Sequence, residues 1–209
     1  MDAIVGVLAL VFLASLALGG PPRFLPPWVA LFALSAAALA RLRAREAGAG
    51  RDCAQSRPEA FLFWLCVTLY LASFRWHGGD DIPNSVLPFA ILRHGTLSFD
   101  PFRAWASDPA LRELILTVNG RLLSSYPVAP GVLALPLYVI PVLAGFTPSD
   151  PFLHNMAKIS GALITALSVI VLFRALERRF PRRAAMSAAA LYGLGTFAFS
   201  VSSQALYSH

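Results

Sequence analysis

The chain has 209 residues, of which 57% are hydrophobic and 13% charged. A soluble domain carries about 25% charged residues, so this composition, with a mean hydropathy of +0.64, excludes an ordinary soluble domain and points to an all-helical, polytopic membrane protein. The net charge is +6, but the arginines stand at the ends of apolar runs; that pattern orients a protein in a membrane and does not build a nucleic-acid face, so no nucleic-acid partner is expected.

Residues 3–18 form the first apolar run. Asp2 precedes it with no Lys or Arg, and Gly19-Gly20-Pro21-Pro22 is a poor cleavage site, so the run reads as a retained helix and not as a signal peptide. It is shorter than the ~20 residues of a perpendicular span. Pro21, Pro22, Pro26 and Pro27 make a turn. Residues 28–40 follow, with Trp28 as an interface anchor, and complete a hairpin. Residues 41–58 are polar. There Arg41, Arg43, Arg45, Arg51 and Arg57 stand against Glu46 and Asp52, with Glu59 just beyond, which puts this loop and the N-terminus on the cytoplasmic side. Cys53 and Cys66 lack metal spacing and read as inert thiols.

Residues 59–74 are the third span, closed by Arg75 and Trp76. At its outer end stands Trp76-His77-Gly78-Gly79-Asp80-Asp81. Ionisable groups beside a hydrocarbon core are costly and mark functional sites. Asp81 precedes Ile82 and Pro83, the ordinary context of a helix cap, and capping is its plainer role. Asp80 has no such local reason. Residues 83–93 place Val86, Leu87, Ala90 and Ile91 at helical spacing, with Gly95 as a stop. This helix is too short to span and is expected on the membrane surface. Asp100-Pro101 and Asp108-Pro109 mark turns. Residues 113–118 and 121–126 flank Asn119-Gly120, the preferred pair of a type I′ turn, and predict a β-hairpin.

Residues 128–145 are apolar but contain Pro130, Pro136 and Pro141. If they crossed the membrane, Arg178, Arg179, Arg182 and Arg183 would face outward, against the positive-inside trend. They are therefore read as a re-entrant or interfacial helix on the outer face. Residues 155–176 and 184–200 are the last two spans, joined by the arginine-rich turn. The expected fold has about five transmembrane helices, an outer-face loop with surface helices, and a small β-hairpin. Residues 1–58 would form a transmembrane hairpin with its cytoplasmic loop. Residues 59–209 would form a core with a periplasmic loop at 77–127 and the interfacial helix at 128–145.

Several stretches stand in a telling order. They are Gly79-Asp80-Asp81 with Asn84, then residues 92–95, Ser125-Tyr126-Pro127 through Gly131, Ala157-Lys158 at a helix start, the arginines of 178–183, and Ser203-Gln204-Ala205-Leu206-Tyr207-Ser208-His209. This order resembles the N-terminal part of the GT-C glycosyltransferases, polytopic enzymes that use polyprenyl-phosphate sugars; mannosyltransferases and the aminoarabinose transferase acting on lipid A belong to them. The resemblance covers residues 61–209. Many members carry Asp-Glu where this chain has Asp80-Asp81, and both pairs are carboxylates. Members usually have roughly twice the membrane helices expected here, so the resemblance implies either the N-terminal portion of such an enzyme or a reduced architecture. It also implies a multi-pass protein of the bacterial inner (plasma) membrane, a lipid-linked sugar as donor, and an acceptor glycan, lipid or protein. The reaction would be hexosyl or pentosyl transfer.

That transfer needs an acceptor hydroxyl made nucleophilic by a general base. Asp80 is the first candidate and Asp81 the second. A departing lipid phosphate needs positive charge from Arg, Lys or a divalent cation. Arg75, Arg93 and Arg121 are on the expected side, and Tyr126, Lys158 and His209 lie in the stretches that carry the resemblance. Each has a plainer role. Arg93 suits a helix C-terminus, Arg121 a solvated turn, and Tyr126 an interface anchor; Lys158 suits a snorkelling chain. His77, His94, His154 and His209 are scattered without zinc spacing. If a divalent cation binds, Asp80 and Asp81 are its ligands. A non-catalytic membrane scaffold and a transporter fragment are the competing readings. Transporters keep ionisable groups near the midplane of broken helices, whereas here the acidic pair sits at a rim.

Overall fold

The structure is a computed structural model that describes residues 27–48, 58–73, 79–148 and 150–206. The first predicted span, residues 3–18, lies outside the described residues. The described chain divides into two compact units, each treated by itself. Helices α1 (Pro27–Gly48) and α2 (Pro58–Ala72) and the stretch Ala162–Gln204 belong to one. Residues 79–161 and 205–206 belong to the other. In order, the remaining elements are α3 (Ile82–His94), α4 (Arg103–Ala106), β1 (Ile115–Val118), β2 (Arg121–Ser124), α5 (Ala129–Leu143), α6 (Asp150–Glu177) and α7 (Arg182–Gly195). Short 3-10 turns at Gly79–Asp81, Asp100–Phe102 and Pro109–Leu111, and a π-helical turn at Ala198–Ser202, fill the gaps.

The expectation of about five transmembrane helices is overturned. Among the described residues one helix, Leu153–Glu177 within α6, is long and apolar enough to cross a membrane. The reason lies in the helix ends. Helices α2 and α5 are apolar, but each has 15 residues, or about 22 Å, against a hydrocarbon core of about 30 Å. Helix α1 has 22 residues, but Arg41, Arg43, Arg45 and Glu46 fall inside it. The predicted polar loop at 41–58 is thus helical as far as Gly48, and its residues 49–57 lie outside the described residues. The predicted last span stops at Gly195, after 14 residues, where extended backbone at Thr196 breaks the helix.

The first unit is held by small residues in register. Leu62, Cys66 and Tyr70 of α2 face Ala162, Ala166, Val169 and Phe173 of α6 and Ala185 and Ala189 of α7, all buried in one cluster. The four-residue spacing of Ala185, Ala189 and Gly193 draws one stripe along α7, the pattern that lets helix backbones approach. At Gly193 a Cβ would meet Val169 Cγ2 at 2.8 Å, and the Tyr70 hydroxyl donates to the Gly193 carbonyl at 2.8 Å. The Arg43 guanidinium lies over the Phe61 ring at 5.8 Å.

In the second unit α3 packs along α5. The Phe89 and Tyr138 rings meet edge to face at 5.7 Å. The Gly95 stop is real: it sits at φ 63° and its N–H closes onto Ile91. The surface position expected for this helix is not found, because every residue from Pro83 through Ala90 is buried. A surface helix would leave one face open. The hairpin forms as expected, pairing Ile115 with Ser124 and Val118 with Arg121. Both turn residues have positive φ, 51° at Asn119 and 77° at Gly120, as a type I′ turn requires. Asp100 fastens the hairpin to the preceding turn. Its carboxylate accepts from Leu122 N–H at 3.3 Å and pairs with Arg103 at 2.8 Å. The Ser98 hydroxyl above all, then those two partners, hold its carboxyl below the usual range.

Candidate functional site

The acidic pair forms the 3-10 turn that leads into α3. Gly79 lets this turn sit close, since a Cβ there would come within 2.9 Å of Leu114. The two carboxylates have opposite surroundings. Asp80 is half-buried and accepts a hydrogen bond from the Tyr126 hydroxyl at 3.1 Å. That hydroxyl is held as a donor: loss of solvent first, then the Asp80 carboxylate, push the Tyr126 pKa upward. Asp81 is 2% exposed, and its Oδ1 has no hydrogen-bond partner. Burial pushes its pKa up to about 6, against its own backbone N–H and the nearby His154.

This reverses the roles read from the sequence. Asp81 stands at the N-cap of α3, but its side chain makes no capping hydrogen bond. The Ser85 hydroxyl instead donates to the Asp81 carbonyl at 2.8 Å. Asp81 therefore lacks the local excuse assigned to it, and Asp80 has a partner.

A cavity of about 10 Å³ lies against Asp81, Ile82, Ser85, Leu153 and His154, room for about one water. Among the described residues, the buried side-chain oxygens without a hydrogen-bond partner are Asp81 Oδ1, Asn84 Oδ1 and the hydroxyls of Tyr138 and Ser160, and Tyr138 lies within electrostatic reach of Asp81. Asn84 is fully buried, and its amide donates to the Leu206 carbonyl at 3.3 Å. Gly131 presses on it, with an added Cβ only 2.9 Å from the Asn84 carbonyl oxygen and 3.2 Å from Oδ1.

The other predicted site residues divide. Arg75 and His209 lie outside the described residues. Lys158 is fully buried in this unit, so it is not a snorkelling side chain. Arg93 is exposed in the last turn of α3. Its guanidinium donates to the Phe146 carbonyl at 2.6 Å and lies over the Phe89 ring at 5.8 Å, which ties down the segment after α5. Arg121 is exposed at the hairpin turn, and strand β2 runs away from it toward Tyr126, about 3.3 Å per residue. The sequence reading set His154 aside as one of four scattered histidines and passed over Ser85. The available signal was the four-residue spacing of His154 to Lys158 and of Asp81 to Ser85, which puts each pair on one helical face.

Among the described residues no group of three or more His, Cys, Asp or Glu side chains is placed to hold a metal ion. A cation at Asp80 and Asp81 would have to find its remaining ligands elsewhere. The chain matches no protein-family model, no curated protein and no solved structure.

Proposed function

We propose that the chain is a membrane glycosyltransferase, or the N-terminal portion of one, that moves a sugar from a polyprenyl-phosphate donor to an acceptor hydroxyl. One observation carries the reading. Several of the stretches that were picked out by their order, far apart in sequence, meet in one compact unit, while the arginines of 178–183 and Ser203-Gln204 belong to the other. Tyr126 reaches Asp80, Asn84 reaches Leu206, and Gly131 packs on Asn84; Ala157 and Lys158 are buried in the same unit. Unrelated surface features would have no reason to converge.

In this reading Asp80, half-buried and oriented by Tyr126, takes the proton of the acceptor hydroxyl. The acceptor oxygen then attacks the anomeric carbon while the bond from that carbon to the phosphate oxygen breaks, and the electron pair leaves with the lipid phosphate. Positive charge stabilises that leaving group. Arg93, Arg103, Arg112 and Arg121 are exposed arginines of the same unit. Asp81 stands behind as a second carboxylate whose pKa of about 6 leaves it mostly ionised at neutral pH. Helix α6 anchors the protein in the inner membrane. Its arginine-rich end at 178–183 is cytoplasmic, and the acidic pair works on the opposite, periplasmic face.

The test uses membranes from cells making the chain, incubated with a panel of radiolabelled polyprenyl-phosphate sugars. Label should move into lipid, glycan or protein only when the chain is present. Asp80→Asn should abolish transfer with the membrane-bound amount unchanged. Equal transfer by that variant would sink the assignment and favour a non-catalytic scaffold.

A further inference from the structure

The first unit carries an open apolar groove of about 570 Å³, lined by Ser168, Val171, Leu172, Ala175 and Tyr192. Four of these residues repeat at intervals of three and four, so they form one face of α6. Tyr192 closes the other side from α7, its hydroxyl 3.3 Å from that of Ser168. Val171 is 69% exposed along the groove. From Ser168 to Ala175 the groove is about 10 Å long. It lies in the last turns of the segment Leu153–Glu177, the one described stretch fit to cross a membrane.

Immediately past that segment the chemistry changes sign. Arg178 and Arg179 stand in the turn after α6, and Arg182 and Arg183 open α7. Arg182 pairs with Glu177 at 3.3 Å. Arg178, Arg179 and Arg183 are exposed and make no ion pair among the described residues. Helix α6 ends at Glu177, two residues past Ala175, and Arg178 and Arg179 form the turn that follows directly. The open apolar groove on α6 thus ends within a turn of a cationic cluster. A phospholipid has that same order, with a charged phosphate at the interface and acyl chains inward, and basic pockets between membrane helices bind anionic headgroups.

We propose that this groove is a binding site for an anionic glycerophospholipid of the cytoplasmic leaflet. One acyl chain lies along Ser168, Val171, Leu172 and Ala175, and the phosphate meets Arg178, Arg179 and Arg183. The proposal rests on the reading of α6 as a membrane span. It is independent of the transfer chemistry, because none of its residues belongs to the acidic unit.

The test is native mass spectrometry of the detergent-purified full chain with phosphatidylglycerol or phosphatidylcholine added. The wild type should retain phosphatidylglycerol in preference to phosphatidylcholine. Removing arginines in R178A/R179A/R183A should lower that retention by about fivefold for each arginine. Ala175→Trp, which fills the groove and leaves every charge, should release both lipids. Equal retention of the two lipids by the wild type, or unchanged retention in Ala175→Trp, would overturn the site. So would a second copy of the chain in the groove, seen as a dimer without lipid. A carbonate wash of the membranes separates the two failures. A chain that washes off defeats the membrane reading itself. A chain that stays but shows no lipid preference defeats only the lipid site.

Discussion

Burial of the Asp81 carboxyl makes its charged form costly, and that cost must appear as a pH dependence of stability. Its pKa in the folded chain, about 6, lies above the ordinary 3.8. Between those values the folded state binds more protons than the unfolded state. Stability from this group is therefore complete at low pH and is lost as pH rises through the folded pKa. The loss is on the order of 3 kcal/mol at most. Asp81→Asn keeps the shape and removes the charge. It should unfold at a higher temperature than the wild type at pH 8 and flatten the slope between pH 4 and 6, and under the proposed function it should also lower transfer. Thermal unfolding across pH, beside the transfer assay, checks both. A variant less stable than the wild type at pH 8 would show that Asp81 is a structural ion and not a strained functional group. The sequence marked this acidic pair as unusual, but not which member is buried, because burial depends on what α5 and α6 bring over it.

At the scale of elements, the contact of α3 with α5 sets the site, and Gly131 is its narrowest point. An added methyl would stand 2.9 Å from the Asn84 carbonyl and 3.0 Å from Leu87. The first obstacle is backbone and cannot rotate away. Gly131→Ala should destabilise the protein by about 1–3 kcal/mol, measured by thermal unfolding, and should depress transfer, because Asn84 and its bond to Leu206 move with the backbone. Unchanged stability would mean that the two helices separate freely. Such a contact between residues 47 positions apart could not be read from spacing. The hairpin could, because Asn119-Gly120 dictates its turn from within two residues. Helix α3 was half legible. Its period and its Gly95 stop are local, whereas the burial of Pro83 through Ala90 is not.

For the whole molecule, the prediction concerns sidedness. Single cysteines at Thr117 and Arg179, in a background with Cys53 and Cys66 replaced by Ser, should behave oppositely in intact cells. A membrane-impermeant maleimide should label position 117 directly, and position 179 only after permeabilisation. Labelling of both from outside would remove α6 as a crossing helix with arginines inside.

The amino-acid sequence by itself determined the helical class, the apolar character of α2, α5 and α6, the hairpin and the Gly95 stop. Each follows from side chains within a turn or two of one another. Tertiary structure alone decided that one described helix has spanning length, that α3 is interior, that Tyr126 holds Asp80, and that His154 faces a buried Asp81. Those outcomes depend on where helices stop and on contacts between residues 46 or more apart in the chain, and packing, not local preference, sets both.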